Sequence, residues 1–184
     1  MAGSSTSLSA IEIALHDQPD KPPLHLWHPE LSGDIDIRIA ANGDWFHLGG
    51  KIERLPLVKL FSTILRREGD GEYYLVTPLE KWRIQVEQTA LLIIDMDVLD
   101  KGLSNQRVVV TSNVGEKYML GEHYLLQVTT AETSNEPFPV VTLDNGLTAR
   151  VSRAVFYRMV DCATEREGGH GLLSGCHWFQ LEGN

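Results

Sequence analysis

Asp34 and Asp36 are the first residues whose type and spacing could do chemistry. Two carboxylates two positions apart on one strand face can hold a divalent cation through hard oxygen ligands. With a histidine they would make a metal-assisted hydrolase. No third ligand stands at a fixed spacing, so a solvated strand face partly paired to Arg38 is the simpler account. Asp95, Asp97 and Asp100 pose the same question, and edge strands commonly carry charge. His25 and His28 flank Trp27, but a zinc site needs two further nitrogen or sulfur ligands. Cys162, His170, Cys176 and His177 could supply some, in a spacing that matches no known ligand box. No metal or cofactor is therefore expected.

Cys176-His177 suggests a nucleophile and its base. Adjacent residues in a strand point to opposite faces, so a buried structural cysteine accounts better for Cys176. The chain has no Gly-x-Ser-x-Gly elbow, no Gly-x-x-x-x-Gly-Lys loop and no Gly-x-Gly-x-x-Gly turn. Hydrolase, nucleotide-phosphate and dinucleotide readings lose their usual support.

Lys51, Arg54, Lys59, Arg66 and Arg67 gather around one apolar stripe, with Trp45, Phe46 and Tyr73 near in sequence. Such a set can bind a phosphate or carboxylate, since arginine makes bidentate contacts. An ordinary solvated helix face explains most of it. Arg54 stands apart, because it precedes the helix at the mouth of a Gly-Gly loop and can aim at a cleft.

These residues must be positioned by short elements. Gly33 to Ala40 alternates, with Ile35, Ile37 and Ile39 opposite Asp34, Asp36 and Arg38, which predicts a half-buried strand. Asn42-Gly43 predicts a hairpin turn, and Asp44 to Leu48 the returning strand. Pro56 to Glu68 predicts a helix: proline is tolerated at its start, Leu57, Leu60, Phe61, Ile64 and Leu65 form a stripe, and Arg66 and Arg67 suit its C-terminal end. Tyr73 to Thr77 is then a strand. Leu8 to His16 predicts a short helix, followed by a proline-rich linker.

Beyond Trp82 the chain reads as a run of strands over 82–87, 90–96, 107–111, 116–120, 124–130 and 140–143. Asn145-Gly146 predicts a second hairpin leading to Leu147–Val151. Ser152 can cap a helix to about Cys162, which Gly168-Gly169 and Gly171 end, and Ser174 to Leu181 is a last strand. Two stretches then share one order: strand, Asn-Gly, strand, arginine, helix, glycine stop, strand. Arg54 and Arg153 are the arginines of that order.

The 184 residues suit one domain or two small ones, and 42% hydrophobic with 22% charged residues allows a real core. A net charge of −9 opposes phosphate backbones and anionic membranes. Two cysteines are too few for a disulfide-stapled secreted domain. The N-terminus lacks a signal peptide's basic start and apolar core, and no apolar run is long enough to cross a bilayer. The expectation is a cytoplasmic protein with an unknown small-molecule or protein partner, without nucleic acid or membrane. Nucleic-acid binding would have to use the Arg66–Arg67 region.

Several blocks are shared with a known family. They are Gly33-Asp34-Ile35-Asp36-Ile37-Arg38-Ile39, Gly43-Asp44-Trp45-Phe46, Gly50-Lys51-Ile52-Glu53-Arg54, Tyr73-Tyr74-Leu75-Val76-Thr77-Pro78, Thr111-Ser112-Asn113-Val114-Gly115-Glu116 and Arg150-Val151-Ser152-Arg153-Ala154-Val155-Phe156-Tyr157. In this order, over about residues 27–182, the chain resembles a bacterial family catalogued as domain of unknown function 1285. The resemblance implies two α+β parts with a repeated motif, the second loosely like a pleckstrin-homology barrel. It further implies a binding site between the parts and a role in signal transduction. Ser32-Gly33 stands where the family often has Cys-Gly, which removes any role for that thiol. Gln88-Thr89-Ala90-Leu91 replaces the family's frequent Asp-Ala-Pro-Phe, which removes a site built on that acid.

The residues and the resemblance together predict an α+β fold. Residues 1–23 would form a tail, short helix and linker, 24–80 a small α+β part with a hairpin-helix-strand motif, and 81–184 a strand-rich part with a terminal helix. The function expected is binding or regulation without catalysis, with a ligand site where the two parts meet and Arg54, Trp45, Thr77, Glu80 and Arg153 as its contacts. Metal-assisted hydrolysis through Asp34 and Asp36 is the alternative.

Overall fold

The alternation at residues 33–40 is realised in β1 (Leu31–Ile39), where Ile37 and Ile39 are buried and Asp34 and Asp36 face outward. The computed structural model describes residues 11, 13, 15, 21–131, 136–166 and 169–182. Ile11, Ile13 and Leu15 are helical, and the rest of the helix expected over 8–16 lies outside the described residues.

At the first Asn-Gly turn Gly43 takes a φ of 84°, and the Asn42 side chain accepts a hydrogen bond from the Asp44 amide at 3.0 Å. The chain returns antiparallel as β2 (Trp45–His47) and continues into a two-residue β3 (Gly50–Lys51). Helix α1 (Leu55–Thr63) begins one residue before the expected Pro56, which sits in its first turn, and buries Leu57, Val58 and Phe61.

It ends five residues early for the sequence expectation. Ile64 leaves helical geometry at φ −109°, and Leu65–Arg67 become strand β4, paired with β5 (Tyr73–Val76). An apolar pair such as Ile64-Leu65 suits either element. Pairing Leu65 to Leu75 buries it and satisfies its backbone, so tertiary context overrides helix propensity. Arg66 and Arg67 therefore sit on a strand, not at a helix C-terminus.

Strand β6 (Lys81–Val86) completes a six-stranded sheet ordered β3-β2-β1-β6-β5-β4, in which β1 and β6 are parallel and every other pair antiparallel. Because β6 is bonded between β1 and β5, the first compact unit runs to Gln88, past the Glu80 boundary read from sequence. Ile39, Trp45, Phe61, Ile64, Leu65 and Leu75 fill its core.

The second unit begins at Thr89. Its strands are β7 (Leu91–Leu99), β8 (Arg107–Ser112), β9 (Lys117–Met119), β10 (Leu126–Thr130), β11 (Pro137–Thr142) and β12 (Thr148–Val151). They form a sheet ordered β10-β11-β12-β7-β8-β9, with β7 and β12 parallel. Adding six to each strand number of the first sheet reproduces this order and every pairing direction. The helices do not follow this correspondence. Helix α1 joins the third and fourth strands of its sheet, whereas α2 (Arg153–Asp161) follows the sixth of its own.

Ser152 caps α2 as expected, its hydroxyl accepting from the Val155 amide at 3.4 Å. A three-stranded antiparallel sheet follows, β13 (Thr164–Arg166), β14 (Gly169–Ser174) and β15 (His177–Gln180), where sequence predicted one strand. Gly169 and Gly171 lie inside β14 and do not stop the helix. Cys176 is exposed in the turn joining β14 to β15, not buried on a strand, and both cysteines are free thiols. The fold is thus two-part and mostly strand, with mixed sheets. Among the described residues no helix is long and apolar enough to cross a membrane.

Candidate functional site

Residues paired across neighbouring strands share a face of the sheet. Arg66 pairs with Tyr74, Tyr74 with Arg83 and Arg83 with Asp34, so these four form a polar row across β4, β5, β6 and β1. Their strand neighbours Leu65, Leu75, Trp82 and Ile84 point to the opposite, apolar side and are buried.

The row is tied together by charge. Arg83 donates to both carboxylate oxygens of Asp34, at 2.5 and 3.1 Å, and that bond holds the Asp34 carboxyl below its ordinary range. Arg66 donates to Glu68 at 2.5 Å, and Lys81 Nζ donates to the other Glu68 oxygen at 3.0 Å. Burial opposes ionisation of Glu68, yet the bonds from Lys81 and Arg66 prevail and its pKa is lowered. Lys81 Nζ also lies 4.9 Å from the Tyr74 ring centre, a cation–π contact. The Tyr74 hydroxyl donates to Asp70 at 2.7 Å. That bond and burial push the Tyr74 pKa up to about 12. Beside this network Asp34, Glu72, Arg83 and Gln85, with Ile35 and Ile84, line a cavity of about 270 Å³.

Chemically this surface presents pre-oriented donors and acceptors. The resolved shifts at Asp34, Glu68, Asp70 and Tyr74 all run away from neutral pH. General acid–base catalysis at neutral pH requires the reverse.

The residues expected to contact ligand are placed as follows. Trp45 is 1% exposed, its ring 6.3 Å from that of Phe61 in the first unit's core. Arg54 is exposed at the N-cap of α1, and its carbonyl accepts from the Leu57 and Val58 amides. Thr77 and Glu80 do meet: they close the turn between β5 and β6, the Glu80 amide donating to the Thr77 hydroxyl at 3.0 Å. The Glu80 carboxylate accepts from the Trp82 indole at 3.3 Å. Arg153 belongs to the second unit, where it pairs with Glu136 at 2.7 Å.

Asp34 pairs with Arg83, and Asp36 is exposed. Among the described residues no group of three His, Cys, Asp or Glu could hold a metal. Asp95 pairs with Arg158 at 2.5 Å and Asp100 with Arg107 at 3.2 Å. The basic cluster read from sequence disperses to separate partners. Lys51 pairs with Asp44 at 2.9 Å, and Arg67 donates to the Gly71 carbonyl at 3.1 Å. Sequence reasoning missed Tyr74, Lys81 and Arg83. Lys81, Arg83 and Gln85 alternate with Trp82 and Ile84, which marks a polar strand face, but nothing local names the carboxylates that meet it.

Comparison with known proteins covers nearly the same span. Residues 22–89 match the family model "Domain of unknown function (DUF1285), N-terminal domain". Residues 90–181 match "Protein of unknown function (DUF1285), C-terminal domain". A crystal structure of a DUF1285 family protein from Silicibacter pomeroyi DSS-3 is similar at a TM-score of 0.86 and 37% identity, covering 96% of this chain and 94% of that one. A second, from Shewanella baltica OS155, is similar at 0.53 and 29% identity, covering 68% of this chain and 91% of that one. Among curated proteins there is no match.

Proposed function

The chain belongs to the DUF1285 family, and from that premise we propose that it is a cytoplasmic binding or regulatory protein whose recognition surface is the polar face of the first sheet. One observation carries this reading. In the cavity Arg83 is already engaged by Asp34, and behind it the buried, neutral Tyr74 is engaged by Asp70, with the Asp34 carboxyl lowered and the Tyr74 hydroxyl raised away from neutral pH. Such groups recognise a polar partner through hydrogen bonds and do not shuttle its protons. A role in signal transduction, which the family resemblance implies, would follow from recognition of this kind. Arg54, Glu80 and Arg153 belong to the proposal as accessible contacts on their own units, with Trp45 and Thr77 supporting them from within.

The test is thermal unfolding of the purified protein across a panel of nucleotides, sugar phosphates and peptides. A ligand at a hundredfold its Kd stabilises by about 2.7 kcal/mol, which moves the melting temperature by several degrees. Arg83→Met should erase the shift produced by the true ligand. A panel that leaves the melting temperature unmoved, or a shift indifferent to Arg83, would count against the reading.

A further inference from the structure

The cavity on the polar face of the first sheet is lined by polar side chains with different capacities left over. Arg83 commits Nε and Nη2 to Asp34. Among the described residues Arg83 Nη1, the Glu72 carboxylate and the Gln85 side-chain amide make no hydrogen bond. Asp70, two residues before Glu72, is spent: it accepts from the Tyr74 hydroxyl at 2.7 Å and from the Glu72 amide at 3.0 Å.

Charge narrows what such a lining can take. Asp34 and Glu72 against Arg83 leave one negative charge in surplus, in a chain whose net charge is −9. The Arg83 pKa is raised, chiefly by the Asp34 bond and in lesser part by the charge of Glu72, so the guanidinium stays charged. A phosphate or a lone carboxylate would meet two like charges and a guanidinium already engaged. A hard metal ion would find two carboxylates where it needs several more oxygen ligands. An ammonium group has three N–H donors and no acceptor. Glu72, the Gln85 carbonyl and the outer lone pairs of Asp34 supply three acceptors. The Nη1 donors of Arg83 then call for an oxygen on the same ligand. At about 270 Å³ the cavity is small, and a few heavy atoms fill it.

We propose that this cavity takes a monocationic ammonium group with an oxygen acceptor beside it, the ammonium on Glu72, Asp34 and Gln85 and the oxygen on Arg83 Nη1. The inference rests on the reading of the cavity as a recognition site and names the chemistry recognised there. Amino alcohols and amino-acid amides carry that pair as small molecules. The free N-terminus of a peptide carries it as ammonium and first carbonyl.

The test is titration of the full chain at physiological salt, which screens general attraction of cations to an acidic protein. Nitrogen–proton NMR of the Arg83 Nε–H and the Gln85 side-chain amide is the readout. Glycinamide should bind saturably, with shifts confined to Arg83, Gln85 and their strand neighbours. Ethylammonium, which lacks the oxygen, should bind about fivefold more weakly. Acetamide, acetate and inorganic phosphate should leave both signals unmoved. Glu72 is exposed, so its replacement spares the fold. Glu72→Gln should weaken glycinamide about fivefold, and Glu72→Lys, which puts an ammonium of the chain's own into the site, should abolish binding. Trialanine amide then separates the two sources: binding at least as tight as that of alaninamide supports peptide N-termini, and its exclusion supports small amines. Acetate or phosphate bound in preference to glycinamide, or glycinamide shifts indifferent to Glu72→Lys, would overturn the proposal. If no amine saturates while a compound of the thermal panel still acts through Arg83, the ammonium assignment falls and recognition at the cavity stands. If nothing binds in either experiment, both fall.

Discussion

The Ser174 hydroxyl accepts the Val108 amide at 2.9 Å and donates to the Leu120 carbonyl at 2.6 Å, so one buried side chain on β14 ties together β8 and the end of β9. Gln106 reinforces the tie, its side chain donating to Leu173 at 2.8 Å and its carbonyl accepting from Gly175 at 2.7 Å. Ser174→Ala leaves a buried donor and a buried acceptor short of a partner. The expected loss is about 1–3 kcal/mol, read as a lower denaturant midpoint with an unchanged slope.

Gly171 is required by its neighbours and not by its φ. A Cβ built there would lie 2.5 Å from the Trp178 ring and 2.7 Å from the Phe179 carbonyl oxygen. Backbone and indole would both have to move, so Gly171→Ala should cost roughly 1–3 kcal/mol by overpacking. Denaturant unfolding measures the loss, and near-ultraviolet dichroism should report a displaced Trp178.

Leu48-Gly49 joins β2 to β3 with φ of 49° and 77°. Two positive φ angles in a two-residue hairpin loop are the signature of a type I′ turn, for which Asn-Gly is the favoured pair. Leu48 is 72% exposed, so little packing compensates its left-handed backbone. Leu48→Asn should therefore stabilise the protein by about 1 kcal/mol, seen as a melting temperature raised by a few degrees.

Stability should form a plateau in pH. Asp34, Glu68, Asp70, Glu87 and Asp95 all have lowered pKa values in the folded protein. A carboxylate depressed on folding contributes stability above its unfolded pKa and loses it as pH falls through its folded value. Stability should therefore decline below about pH 4.5, the ordinary value for Glu68. Tyr74 and Tyr118, raised from 10.0 to about 12 by hydrogen bonding to Asp70 and by burial respectively, work in the opposite sense. Their contribution is complete below pH 10.0 and is lost as pH climbs toward 12. Denaturant midpoints measured from acid to alkaline pH should trace both flanks, and Tyr74→Phe should soften the alkaline one.

Local features of this protein were legible before any fold was seen. The Ile35, Ile37 and Ile39 alternation, the Asn42-Gly43 turn, the helix start around Pro56 and the Ser152 cap depend on steric and hydrogen-bonding preferences that act within a few residues. Tertiary structure alone decided that Leu65–Arg67 leave the helix, that β13 and β14 exist, and that the central strand pairs run parallel. The same holds for the polar row, where Arg83 finds Asp34 across 49 positions of chain. Such a partner is chosen when the sheet closes, by register and burial together, and no short window of residues contains that information.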